Sequence, residues 1–453
     1  MNDVTALILP EVRELLEAGD REALQRALAE IHPADISDII ANLEEDPARL
    51  VFEALPEKKR VATFEHLAES DQLRLLEALG RDRMIHIIEE MSSDDRADFI
   101  QALPERTAEN LLPLLAQAER NDVRKLVAYQ DGTAGAVMTT EYASVPAEAS
   151  VGEALLLLRR IAPDKETIYY VFITDPDRRL LGYTTLRELV LARPEQNVME
   201  VRRQPLISMP VEADQEDVAR TIQRYDFLAL PIVDSENRLV GIVTYDDVID
   251  VIQEEATEDA QRMGAVEPFA MPYLKAGFWQ LAWRRGAWLM VLFLGELFTG
   301  VALRHFEATL QGVLSLVFFL PVIISAGGNS GSQSATLVIR SLAVGEVRLR
   351  DWFRVFYREI GMGLALGLFL GSLGYARAIL WETSHLVALA VALTLVAVVI
   401  VGSLAGAMLP LLFRLCRLDP GVASSPFVAS LVDVVGIIVY FSIARSLIPV
   451  PPG

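Results

Sequence analysis

The alternation of apolar and polar positions changes character twice along the chain. Up to about residue 130, short apolar stretches recur at helical spacing between Pro- or Asp-marked breaks, with few β-branched runs, which predicts short helices throughout. The tetrad Ala54-Leu55-Pro56-Glu57 recurs as Ala102-Leu103-Pro104-Glu105, with a related break, Leu79-Gly80-Arg81-Asp82, halfway between. A period near 24 residues predicts stacked short helices forming a superhelix. From about 132 to 254 the period shortens to that of strands mixed with helices. Beyond about 271 the pattern gives way to five apolar runs long enough to cross a bilayer, at 286–303, 310–338, 353–376, 386–412 and 421–448.

The middle region is a tandem repeat. Residues 174–189, TDPDRRLLGYTTLREL, align without a gap to 233–248, VDSENRLVGIVTYDDV, and each copy reads strand, helix, strand, turn, strand, helix. In the second copy the helix is predicted over 215–225, strands over 228–233 and 239–244 around a turn at 234–237, and a last helix from 246. The repeat resembles a pair of cystathionine-β-synthase-type (CBS) modules. Such modules bind adenosine nucleotides through a Ser/Thr-x-x-Asp pair. Thr244-x-x-Asp247 fits that pattern, which implies ATP as a ligand, and Thr185-x-x-Glu188 fits it more loosely.

Charge separates the two halves. The chain has 453 residues and a formal net charge of −21. Residues 271–453 hold 8 of the 62 acids and 13 of the 41 Lys plus Arg, which leaves the first 270 residues near −26 and the remainder near +5. A region that acidic repels nucleic acid and attracts hard cations. With one cysteine, Cys416, and five scattered histidines there is neither an internal disulfide nor a soft-metal ligand spacing. No nucleophile–base pair or phosphate loop occurs, so an enzyme is not expected. The first ten residues, MNDVTALILP, lack a basic segment and a signal-type apolar core, so the acidic half is expected to stay in the cytosol.

The last apolar run contains one carboxylate, Asp433, near its middle. A charge at that depth costs several kcal/mol, about 2.5–3.5 on insertion scales, unless it faces water or protein. Gly421, Ser425, Ala429 and Gly436 share its face, leaving room for a close neighbour or a water-lined path. This favours a cation site over a structural acid paired with an arginine such as Arg340. In the second run, Gly, Ser, Asn and Gln crowd the segment PVIISAGGNSGSQSAT at 321–336, as close helix contacts or water-facing backbone require. Glu296, inside the first run, is expected to be protonated or paired at a helix interface.

Arginines predict the topology. Arg340, Arg348, Arg350, Arg354 and Arg358 follow the second run and Arg414 and Arg417 the fourth, against Arg304 and Arg377 after the first and third. The N-terminus and both Arg-rich connections are therefore expected in the cytosol and the C-terminus outside, in a plasma-membrane protein. Between the repeat and the first run lies YDDVIDVIQEEATEDAQ, in which Asp247, Asp250, Glu254 and Glu258 run down one helical face. Like charges so placed oppose each other unless solvated or bridged by cations.

The glycine-rich run, the segment around Asp433 and the CBS pair together resemble the MgtE family of magnesium channels and transporters over essentially the whole chain. The expected fold is multidomain: an all-α superhelical N-terminal domain over 1–131, an α+β tandem CBS pair over 132–199 and 200–254, an acidic connecting helix over 255–275, and an α-helical five-span membrane domain over 276–453. The resemblance implies a homodimer in membrane lipid, with a pore on the two-fold axis lined by the second and fifth spans. It implies Mg2+ at Asp433, with Ala429 in the wall. Regulatory Mg2+ is implied between cytosolic surfaces at Asp94, Asp98, Asp214, Glu216, Asp226, Asp247, Asp250, Glu255, Glu258, Asp259 and Asp419. Ser425, where the family pattern calls for Asn, and Ala62, where it calls for an acid, depart from it. Rival functions are a broader divalent channel passing manganese, cobalt or nickel, and a membrane-anchored nucleotide sensor.

Overall fold

The computed structural model describes residues 3–269, 273, 276–307, 309 and 313–448. It divides into two compact units, residues 1–252 and 253–453.

The first unit opens with ten helices: α1 (Asp3–Ala18), α2 (Arg21–Ala29), α3 (Pro33–Ala41), α4 (Glu45–Ala54), α5 (Glu57–Glu65), α6 (Glu69–Leu79), α7 (Arg81–Glu90), α8 (Ser93–Ala102), α9 (Glu105–Leu111) and α10 (Gln117–Leu126). From α2 to α10 each helix starts 12 residues after the one before, so the 24-residue sequence period is two helices. The repeated breaks fall where expected: α4 ends at Ala54 and α8 at Ala102, Glu57 and Glu105 start the next helices, and Gly80 separates α6 from α7. Helices this short are not stable alone. They bury their apolar stripes by packing each on the next but one, as α2 on α4, α3 on α5, α4 on α6 and α5 on α7. Phe52, Phe64 and Phe99 run through this core, with ring centroids 6.1 and 5.2 Å apart.

Two three-stranded sheets follow: β1 (Tyr142–Pro146), β2 (Thr167–Thr174) and β3 (Leu180–Thr185), then β4 (Met209–Pro210), β5 (Ala229–Val233) and β6 (Leu239–Thr244). In each, the first pair is parallel and the second antiparallel, and the register of Ile173 on Gly182 recurs as Ile232 on Gly241. The tandem alignment is thus a repeated strand register. In the second copy the predicted helix 215–225 and strand 239–244 match the structure, and the preceding strand starts at Ala229 instead of 228.

The last helix of that copy and the acidic connector are one helix, Tyr245–Met263. It ends well short of residue 275, turning at Gly264 and Ala265, with Ala265 at φ 55°. Of the predicted connecting helix, residues 270–272, 274 and 275 lie outside the described residues.

The second unit contains five helices long and apolar enough to cross a membrane: Phe278–His305, Leu314–Ala343, Leu349–Leu380, His385–Leu415 and Ser425–Leu447. Each corresponds to one predicted run; the start of the second run, 310–312, lies outside the described residues. The fifth span starts later than expected. Pro420–Val422 forms a separate 3-10 turn, and Ser424 caps the helix by accepting the Phe427 N–H at 3.4 Å. Gly421 therefore precedes the helix and is not part of the Asp433 face.

Candidate functional site

The membrane site is built by glycine-mediated contact. Polar residues in a lipid-depth helix gain nothing from lipid, so small ones are used where backbones meet. The second span lies against the fourth, with Ser330 and Ser403 hydroxyls 2.7 Å apart. A Cβ added to Gly406 would stand 2.0 Å from the Gly331 carbonyl oxygen, and one on Gly402 would stand 2.4 Å from that of Gly327. On its other side the second span meets the fifth. A Cβ on Gly328 would come within 3.3 Å of the Ala429 Cβ and 3.6 Å of Asp433 Oδ1. Ser332 Oγ donates to the Ser425 carbonyl at 3.2 Å.

Asp433 thus faces the Gly/Ser-rich second span, half-buried, with Ala429 one turn before it along the same seam. Arg340, the alternative neutralising partner, is exposed. Ser425, at the first helical position, offers the site its backbone carbonyl, already engaged by Ser332. Glu296 lies at the contact of the first and fifth spans, where Ser430 Oγ donates to Oε2 at 3.4 Å. A carboxylate overlooked in the sequence is Glu359 of the third span, which accepts from Ser334 Oγ at 2.7 Å. Its position between Arg358 and the glycines of the third span reads as an ordinary interfacial charge, and only the helix packing brings it to Ser334.

The acids of the first unit gather around Asp94. This residue lies at the start of α8, which packs on the CBS pair: Ser93 Oγ is 3.0 Å from Thr139 Oγ1 and accepts the Thr140 N–H at 2.8 Å. Arg96 fixes the preceding turn by donating to the carbonyls of Ile88, Glu89 and Met91 at 2.5–3.1 Å. Asp94 is buried and its Oδ1 has no hydrogen-bond partner. Burial and the facing carboxylates of Asp247, Asp95 and Glu166 raise its pKa well above the usual carboxylate range.

Lost hydration, then Glu65, push Asp95 up to about 7, although it still touches solvent. Lost hydration, then Asp247, do the same for Glu166. Glu141 is raised by burial against the opposing pull of Arg96, 3.9 Å away. Nothing in the sequence marks Asp95, Glu141 and Glu166, since the fold alone brings the start of β2 and the start of α8 together.

The other predicted acids are placed differently. Asp98 is exposed one turn beyond Asp94, and Asp250 is exposed near Asp95. Asp214 caps the helix Gln215–Tyr225 by accepting the Glu216 N–H at 2.8 Å, Glu216 pairs with Arg220, and Asp226 ends that helix at φ 52°. Glu255 and Asp259 lie half-buried on the acidic helix. Glu258 pairs with Arg262, and Arg262 also pairs with Asp419, which accepts the Gly421 N–H at 2.6 Å. Among the described residues no three His, Cys, Asp or Glu side chains converge as a ready-made metal cage.

Thr244 and Asp247 are joined to each other. Thr244 Oγ1 donates to Asp247 Oδ2 at 2.5 Å, as Thr185 Oγ1 does to Glu188 Oε2 at 2.9 Å in the first copy. Between the copies, Tyr170, Tyr183 and Phe227 pack edge to face around a cavity of about 10 Å³, room for a water at most.

A chain that carries such a membrane seam together with a CBS pair and a helical domain is a multi-domain transporter. Family models agree along the chain: the intracellular N domain of MgtE at residues 31–132, CBS domains at 134–195 and 198–254, and MgtE, divalent cation transporter, at 320–443. The chain is 42% identical over 440 residues to the magnesium transporter MgtE of Thermus thermophilus, covering 96% of this chain and 98% of that one. It is 34% identical over 337 residues to that of Bacillus subtilis, covering 74% of each. A crystal structure of the cytosolic domain of the Mg2+ channel MgtE in complex with ATP matches 54% of this chain and 99% of its own at 40% identity and TM-score 0.52. The chain belongs to the MgtE family and is a multi-pass membrane transporter, not an enzyme.

Proposed function

We propose that the protein is a magnesium-selective channel of the plasma membrane, closed by cytosolic magnesium. The observation that carries this is Asp433 Oδ1 lying where the Gly328 backbone leaves space, 3.6 Å from a Cβ position. Magnesium parts with its water reluctantly, so a seam with one carboxylate and small neighbours suits a hydrated ion. Two copies would place two carboxylates on one axis. Room for a second copy is consistent with the first span, most of whose apolar side chains are left exposed by the rest of the chain. The relatives named as magnesium transporters support the choice of ion. A broader divalent path admitting manganese, cobalt or nickel is the competing selectivity, and a pure nucleotide sensor would have no use for Asp433. The N-terminus and Arg-rich connections are placed in the cytosol and the C-terminus outside.

Closure would come from the acidic surfaces. Asp94, Asp95, Glu166 and Asp247 face one another, an arrangement that a divalent cation relieves. Asp98, Asp250, Glu255, Asp259, Asp214 and Asp226 would add weaker sites. A site binding only the closed form contributes about 1.4 kcal/mol at roughly tenfold over its dissociation constant. Four or five such sites exceed the roughly 5.5 kcal/mol needed to close nearly every channel. The acidic helix carries this toward the membrane through Glu258, Arg262 and Asp419. ATP would be a further ligand of the CBS pair, held near Thr244 and Asp247; the related cytosolic domain solved in complex with ATP supports the choice of ligand.

Growth of a magnesium-transport-deficient bacterium tests the function. The wild-type chain should restore growth at low magnesium and Asp433→Ala should not. Equal rescue by both would exclude this pore.

A further inference from the structure

The N-terminal helical domain contains a basic pocket within its acidic surface. The cavity encloses about 360 Å³ and is lined by Arg21, Phe52, Glu53, Arg60, Leu79, Arg83 and Ile87. Three guanidinium groups face one carboxylate, so its lining carries a net charge of +2, against the excess of acids in the rest of the cytosolic region.

The pocket is built in advance. Arg60 is held by donating from Nη2 to the carbonyls of Glu53 and Leu55, at 3.3 and 2.9 Å. Its buried Nε has no hydrogen-bond partner. A buried donor left unpaired is costly, so the Arg60 guanidinium is not fully satisfied by the protein's own acceptors. Arg83 pairs with Glu53, the lone acid of the lining. Arg21 is the first residue of α2 and is exposed. Helix α7 contributes Arg83 and Ile87 to the lining, and Leu79 comes from the end of α6.

We propose that this pocket binds a phosphate dianion, either free or as the terminal group of a phosphomonoester. The charge matches, the planar guanidinium forks suit tetrahedral oxygens, and the volume admits phosphate with a small ester group. Bound there, the anion would bridge α2, α5 and α7, tightening helices whose neighbours carry Asp94 and Asp95.

Titration calorimetry on the full-length protein in detergent, with chelator present, tests this with sodium phosphate and with ribose 5-phosphate. Phosphate should bind in the millimolar range, and Arg21→Ala/Arg83→Ala should weaken it by about tenfold. Both residues are exposed, so the variant should keep its helical circular dichroism. Glu53→Gln, which removes the competing acid, should instead tighten binding. Stronger binding of ribose 5-phosphate identifies a phosphomonoester as the ligand, and stronger binding of phosphate identifies the free ion. Absence of heat with both ligands, undiminished affinity in the double arginine variant, or weaker binding in Glu53→Gln would overturn the proposal.

Discussion

Arg262, on the last turn of the acidic helix, is ion-paired with Asp419, the residue that caps the turn leading into the fifth span. The same guanidinium holds Glu258 one turn back, and its Cβ lies 3.1 Å from where a Gly421 side chain would begin. The helix that gathers negative charge is therefore tied to the span that carries Asp433.

Breaking this tie should loosen control without stopping conduction. Half-exposed ion pairs contribute up to about 1 kcal/mol, so Arg262→Ala should raise the magnesium concentration needed for closure by no more than about fivefold. Exchanging the charges, Arg262→Asp with Asp419→Arg, should restore part of the loss. Liposome flux measured against internal magnesium reads both effects, and an unchanged midpoint in Arg262→Ala would show that the pair carries no signal.

The backbone contact of the second and fourth spans should tolerate no added atoms. Gly406→Ala would set its Cβ against the Gly331 carbonyl, at a cost of about 1–3 kcal/mol for an overpacked interior. Gly361→Ala, where nothing lies within 4 Å, is the matched control. Thermal unfolding in detergent should show a lower midpoint for the first and little change for the second.

The carboxylates around Asp94 should make stability depend on pH in a way that magnesium removes. Asp95 and Glu166 are raised to about 7, and Asp94 and Asp247 are raised as well. Unfolded, such groups ionise near pH 4. Between those values the folded form holds more protons than the unfolded one, so stability falls as pH rises from about 4 to about 7. Calorimetry of the whole chain with chelator should show the transition of the first unit moving down over this window. Added magnesium should flatten the slope, because it takes the place of the protons. A transition that moves up with pH would contradict the cluster.

Much of this architecture is legible in the sequence because its signals are local. The Leu-Pro-Glu breaks mark helix boundaries, the tandem alignment predicts a repeated strand register, and five apolar runs give five spans. Asp433 stands out because an acid at that depth needs a reason. What could not be read depends on tertiary approach. Glu166 reaches Asp94 only through the docking of α8 on the CBS pair, and Glu359 meets Ser334 only through helix packing. The fifth span begins four residues after Gly421 because Pro420 favours a separate turn and Ser424 supplies the cap. The role of Arg262 is not legible in the sequence, because an arginine ending an acidic helix looks like an ordinary dipole partner.

Whether Asp433 holds the conducted ion is decided by flux through purified Asp433→Asn in liposomes. The substitution keeps the shape and removes the charge, so thermal midpoint and oligomeric state should match the wild type while magnesium flux falls to background. Flux at the wild-type rate from a folded Asp433→Asn protein would contradict the account.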